Sequence, residues 1–137
     1  MTRLGRKGVV AAEFAVCGSL AVLVLLFVLE VGLIAWTKVA LQAAAATAAR
    51  CNALAASDCS GGTAAYAVTQ VNNWLFANAV TAANVTVQSG AACNGATGTY
   101  SIVTITSTNW ANVLPSALPA PLSTPTLSAT SCYISGT

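Results

Sequence analysis

The chain has 137 residues, 56% of them hydrophobic, with five basic and three acidic side chains, no histidine and a formal net charge of +2. After Arg50 the remaining 87 residues hold one acid, Asp58, and no Lys, Arg or His. That part of the chain therefore has no means to build a Ser-His-Asp triad, a glycosidase carboxylate pair or an ordinary zinc site, and it lacks the clustered cations that bind a phosphate backbone. The reading is a non-enzymatic protein with no cofactor, no metal and no nucleic-acid partner.

From the N-terminus, Arg3, Arg6 and Lys7 form a short basic leader ahead of an apolar run from Phe14 to Trp36. These 23 residues, at about 1.5 Å each, extend roughly 35 Å, enough to cross a bilayer with some tilt. Three cations precede the span and only Lys38 follows closely, so the positive-inside bias predicts a cytoplasmic N-terminus and an exported C-terminal part in a single-pass inner-membrane protein. Two carboxylates stand out, Glu13 at the mouth of the run and Glu30 within it, because an intramembrane acid needs a partner, a proton or an interfacial position. For Glu30 the sequence leaves three options open: Lys38, another subunit, or protonation.

Gly8-Val9-Val10-Ala11-Ala12-Glu13-Phe14 sets a glutamate five residues after a glycine, behind the basic leader and directly before the apolar helix. This arrangement resembles the class III signal of type IV pilins. The resemblance implies cleavage after Gly8 by prepilin peptidase on the cytoplasmic side, leaving a mature chain that begins at Val9 and keeps its apolar helix. Glu13 would then neutralise the Val9 amine of a neighbouring subunit when helices pack with an axial stagger. On the residues alone, Glu13 can also sit among lipid headgroups at a helix N-terminus, where negative charge is favoured.

The pattern continues with Glu13-Phe14-Ala15, Leu29-Glu30-Val31-Gly32, Leu41-Gln42-Ala43-Ala44 and Thr47-Ala48-Ala49-Arg50. In order and spacing it resembles the N-terminal region of TadE-like pseudopilins of the tight adherence (Tad, Flp-type) pilus, over about the first third of the chain. Cys17-Gly18-Ser19 departs from the many relatives that carry a proline in the first turns, which leaves the kink implied by the resemblance open at this point. The resemblance implies a pilin-like minor subunit taking part in pilus assembly for surface adhesion and biofilm formation. Its partners would be other pilin subunits, the prepilin peptidase and inner-membrane assembly proteins, with Val9, Glu13, Phe14 and Glu30 carrying assembly.

Domain limits follow as a leader over 1–8, a helix over 9–56 and a small exported domain over 57–137. From Lys38 to Ala56 the chain is rich in alanine and free of Gly and Pro, so the helix is expected to run on beyond the span. Val39, Leu41, Ala44, Ala45, Ala48 and Ala49 are its expected docking face, with Thr37, Gln42, Thr47 and Arg50 opposite. Ser57 to Gly62 reads as a turn. A second helix is predicted from Thr63, as N-cap, to about Ala79, carrying Trp74, Leu75 and Phe76.

Asn84 to Ser89 alternates as a strand, Gly90 to Gly98 reads as a loop, and Thr99 to Thr108 is the strongest strand signal. The two strands should pair antiparallel. Either face of the second could point inward, the one with Tyr100, Ile102, Thr104 and Thr106 or the one with Ser101, Val103, Ile105 and Ser107. Asn109 to Leu114 suggests a helical turn with Trp110, Pro115 to Pro125 an extended loop, and Thr126 to Ile134 a last strand.

Four cysteines lie beyond the span and one, Cys17, within it. A small domain in an oxidising compartment is commonly stapled by bridges. Three connectivities are open; the favoured one joins Cys51 to Cys59 at the helix end and Cys93 to Cys132 between distant strands. The fold class is α+β: a long transmembrane helix entering a small disulfide-stapled domain with a second helix and a short antiparallel sheet. Two other functions compete with the pilus subunit. One is an uncleaved, membrane-anchored binding or adhesion domain using Trp74, Trp110 and Tyr133; the other is a secreted protein cut at Ala43-Ala44-Ala45, disfavoured by the length of the apolar run.

Overall fold

The structure, a computed structural model, describes residues 6–75, 80–107 and 126–135. The chain forms two compact units, Met1–Trp36 and Thr37–Thr137. Helix α1 runs from Arg6 to Ala53 and contributes to both.

In the first unit α1 is exposed around its circumference, with Phe14, Leu20, Leu23 and Phe27 all open. A helix that is apolar on every side has no polar face to offer water, so its medium is lipid or other helices. It is the one helix among the described residues that is long and apolar enough to cross a membrane, which points to a single-pass anchor.

In the second unit α1 has sides. Leu41, Ala44, Ala45, Ala48 and Ala49 are buried at the three- and four-residue spacing of one helical stripe. Two residues of the expected faces exchange places. Thr37, four before Leu41, falls on the stripe and is only 6% exposed, whereas Val39 is 66% exposed. The 100° advance per residue, rather than side-chain polarity, decides both.

The helix ends three residues before Ala56, in a Schellman motif. The Ala56 N–H donates to the Cys51 carbonyl at 3.1 Å and the Ala55 N–H to that of Asn52 at 3.3 Å. This turn requires a left-handed residue, and Ala55 supplies it at φ 47°. The Cys51–Cys59 disulfide closes over the same turn, and Ser57–Cys59 forms a short 3-10 helix within the expected turn. Helix α2 spans Thr63–Trp74. Its N-cap is Gly62, at φ 103°, and not Thr63, whose hydroxyl donates instead to Asn52 Oδ1 at 2.9 Å. Leu75 is already extended, so α2 stops short of Ala79; Phe76 to Ala79 lie outside the described residues.

Strands β1 (Val85–Cys93), β2 (Ala96–Ser107) and β3 (Leu127–Ile134) form an antiparallel sheet in the order β1-β2-β3. Ser101, Val103, Ile105 and Ser107 point inward. The pairing explains the choice: Val85 and Val87 lie opposite Ile105 and Val103, and Ala129 lies opposite Ile105, so this face gathers the aliphatic side chains. On the other face Thr104 and Thr130 sit directly across from one another and share a 2.9 Å hydroxyl hydrogen bond.

The stretch expected as a loop, Gly90 to Gly98, is mostly sheet. Asn94 and Gly95 have φ of 47° and 78°, the two positive values of a type I′ hairpin turn, and Cys93 pairs with Ala96 across it. Register shifts flank Ala91. They allow the second disulfide. Cys132 lies opposite Ile102, itself opposite Gln88, and a straight β1 would carry Cys93 about 16 Å past Gln88. The bulges curl the hairpin back, and Cys93 reaches Cys132 with Cα atoms 6.3 Å apart. Asn109 to Leu114 and the proline-rich stretch lie outside the described residues.

Two side chains of α1 tie it to the sheet. Asn52 Nδ2 donates to Ser101 Oγ at 2.7 Å and to Ser89 Oγ at 3.0 Å, and Gln42 Nε2 donates to the Thr130 carbonyl at 3.2 Å. With the bond from Thr63, Asn52 joins both helices and two strands. Replacing Asn52 by Ala should lower stability by about 1–3 kcal/mol, because Ser101 stays buried without that donor; the urea midpoint of the full chain in detergent micelles measures it. Ala55→Gly should act in the opposite direction, raising stability by about 0.5–1 kcal/mol by relieving the left-handed alanine, read as an upward shift of the same midpoint.

Candidate assembly segment

Between Arg6 and Trp36 the apolar helix carries a few chemically distinct positions. Gly8 is exposed in the first turn of α1, with nothing near the place a Cβ would occupy. The backbone of Val9 follows in the helix, its side chain lying outside the described residues. First-turn N–H groups have no intrahelical acceptor, and glycine weakens a helix, so the Gly8–Val9 peptide bond lies where α1 opens most easily. Arg3 is outside the described residues.

Glu13 and Phe14 are both exposed, Phe14 to 79%. Val9 and Glu13 are four residues apart in α1. A carboxylate in an apolar helix calls for a partner, a proton or an interfacial position. Glu30 is half-buried on α1. No kink interrupts Cys17-Gly18-Ser19: the Ser19 hydroxyl bonds back to the Val16 carbonyl at 2.9 Å, and the helix is continuous.

Away from this segment, a shallow cleft of about 310 Å³ lies beside the Cys51–Cys59 bond, with Asn52, Ser57, Ser60 and Thr63 as its polar lining. These are neutral groups, and Asn52 and Thr63 are already bonded to each other. The lining offers neither a general acid nor a general base. Of the aromatic side chains read as binding candidates, Trp74 is exposed, Tyr133 packs against the core, and Trp110 lies outside the described residues.

Residues 8–50 match the family model described as TadE-like protein. The match covers 43 of the 137 residues. No curated protein and no solved structure matches the chain. The TadE-like match takes in Gly8, Val9, Glu13, Phe14 and Glu30 together with the alanine stripe, and ends one residue before Cys51. For this segment the likeness suggests an association with a Tad pilus system. Sequence reasoning missed Asn52, the hydrogen-bonding junction of the second unit. An asparagine three residues beyond an alanine-rich stripe gives no local signal, because its partners Ser89 and Ser101 are far along the chain.

Cys17 is the one free cysteine, and it is exposed on the apolar helix. Thiol titration of the denatured, unreduced chain should therefore count one thiol, rising to five on reduction. In intact vesicles a membrane-impermeant maleimide should leave Cys17 unlabelled until detergent is added.

Proposed function

We propose that this chain is a TadE-like minor pilin, inserted with its N-terminus in the cytoplasm, cleaved after Gly8 by prepilin peptidase, and drawn by α1 into a Tad pilus that serves surface adhesion and biofilm formation. The observation that carries the proposal is the TadE-like match over residues 8–50, whose Gly8-to-Glu13 spacing opens a helix that is apolar on all sides.

The physical sequence is short. The basic leader holds the Gly8–Val9 bond on the cytoplasmic side. Cleavage removes that leader and creates a cationic amine at Val9. In the membrane the amine and Glu13 of the same chain are both costly to bury; in a staggered pair of subunits the amine of one neutralises Glu13 of the next. Lateral packing of apolar helices then draws the subunit from the bilayer into the filament, with other pilin subunits and the inner-membrane assembly proteins as its partners. The leader is the stretch 1–8, and the exported domain follows the end of the long helix.

Processing and assembly are separable by experiment. Intact mass and N-terminal sequence of the chain, expressed in membranes with and without its cognate prepilin peptidase, should show a peptidase-dependent start at Val9 that Gly8→Ala abolishes. An intact N-terminus under both conditions would instead make the chain an anchored binding domain, and a start near Ala46 an ordinary secreted protein. Glu13→Gln should still be processed but should enter sheared filaments on the order of 100-fold less, the consequence of leaving a buried charge unpaired at about 3 kcal/mol. Normal incorporation of that variant would remove Glu13 from the assembly mechanism.

A further inference from the structure

Two hydrogen bonds give the second unit a direction. Asn52 bonds to Ser101 and Gln42 to Thr130, which pairs with Thr104. Descending α1 from Asn52 to Gln42, about 15 Å, thus corresponds to moving along β2 from Ser101 to Thr104. Continued towards Thr37, the same direction leads to Ser107 with its partner Leu127, and to Val85, which lies opposite Ile105. The short helix Ala82–Asn84 immediately precedes Val85 and belongs to this end. The hairpin turn at Asn94 and Gly95 belongs to the other.

Helix α2 follows the same axis. It begins at Thr63 beside Asn52 and packs on the Ala82–Asn84 helix, so Trp74 lies towards the Thr37 end. Trp74 is 54% exposed, and Lys38 and Val39, at the same end of the unit, are exposed as well. Lys38 is the unit's only cation apart from Arg50, which is twelve residues further up α1, and the unit's single acid, Asp58, lies in the short helix beyond α1's far end. The Thr37 end is thus cationic, aromatic and free of acids.

Thr37 is also the first residue of the second unit. It is 6% exposed and directly follows Trp36, the last residue of the apolar span. No linker separates them.

We infer that the Thr37 end of the folded unit, carrying Lys38, Val39 and Trp74, rests in the phospholipid headgroup layer. The inference depends on the membrane-anchor reading of residues 14–36. The chemistry suits that occupant: indole rings favour the interface between water and acyl chains, a lysine ammonium pairs with lipid phosphate, and a small valine adds apolar contact. The bilayer would then fix the height of the domain before any assembly, with the Asn94–Gly95 hairpin presented outward.

The test uses the full chain reconstituted in phospholipid vesicles containing lipids brominated near the top of the acyl chain. Two single-tryptophan variants are compared. One keeps Trp74 (Trp36→Phe with Trp110→Phe) and the other keeps Trp36 (Trp74→Phe with Trp110→Phe). Both should lose about half or more of their emission to the brominated lipid, as expected for interfacial tryptophans. If Trp36 is quenched while Trp74 is untouched by bromine and quenched by aqueous acrylamide, the domain stands clear of the surface; the inference fails and the anchor stands. If Trp36 also escapes quenching, the span does not cross the bilayer, and the anchor reading fails together with the inference.

Discussion

The constraint on which the rest depends is that α1 must be stable without a polar face in one unit and must bury a single stripe in the other. Over the apolar stretch its side chains are large and open on all sides, which only lipid or neighbouring helices can accommodate. From Thr37 onward the composition changes to alanine. Alanine keeps the helix favourable at every position, yet its single methyl lets the sheet and α2 approach the backbone closely. The core accordingly consists of a methyl-studded helix face met by larger residues from elsewhere: Val71 from α2, Val103 and Ile105 from β2, Val85 from β1.

A core of that kind is thin, and the unit compensates with covalent and polar ties placed where the chain would otherwise separate. Cys51–Cys59 closes over the end of α1, and Cys93–Cys132 fastens the curled hairpin to the last strand. Asn52 holds the two helices and two strands at one level, and Gln42 satisfies a carbonyl of β3 at another. Cys51, Cys59 and Cys93 lie at or near the ends of their elements, while Cys132 lies within β3 opposite Ile102. The two bridges restrain fraying more than they enlarge the core.

Much of this was legible because it is local. The span, its basic leader, the glycine-to-glutamate spacing and the alanine stripe are all read within a few turns of one helix, and the alternation of β2 is read within one strand. The misreadings mark places where a second element decides. Thr63 looks like an N-cap until Asn52 claims its hydroxyl and Gly62 takes the cap. The direction of β2 was undecidable from β2 alone, since Ile102 and Val103 are nearly equivalent; Val85, Val87 and Ala129 settle it from across the sheet. The hairpin was legible in principle, because Asn94-Gly95 is a strong turn signal, but the surrounding glycines and alanines obscured the strands on either side of it. The assembly segment differs in kind. Its motif is entirely local, whereas the role proposed for it needs partners that a single chain does not contain.

The near absence of charge in the second unit bears on that role. A surface held in water by serine, threonine and asparagine rather than by ions presents little long-range repulsion to a copy of itself. Hydroxyl rows such as Thr104–Thr130 keep the outer sheet face soluble while remaining easy to desolvate, since no ion must be stripped of its hydration shell. In a soluble monomer such a surface would be a liability. Under the proposed role, it would allow close packing without a specific ionic code on the domain and would leave register to the charges on α1. Division of labour between an ionically specified helix and a neutral, stapled domain is the arrangement this distribution of residues favours.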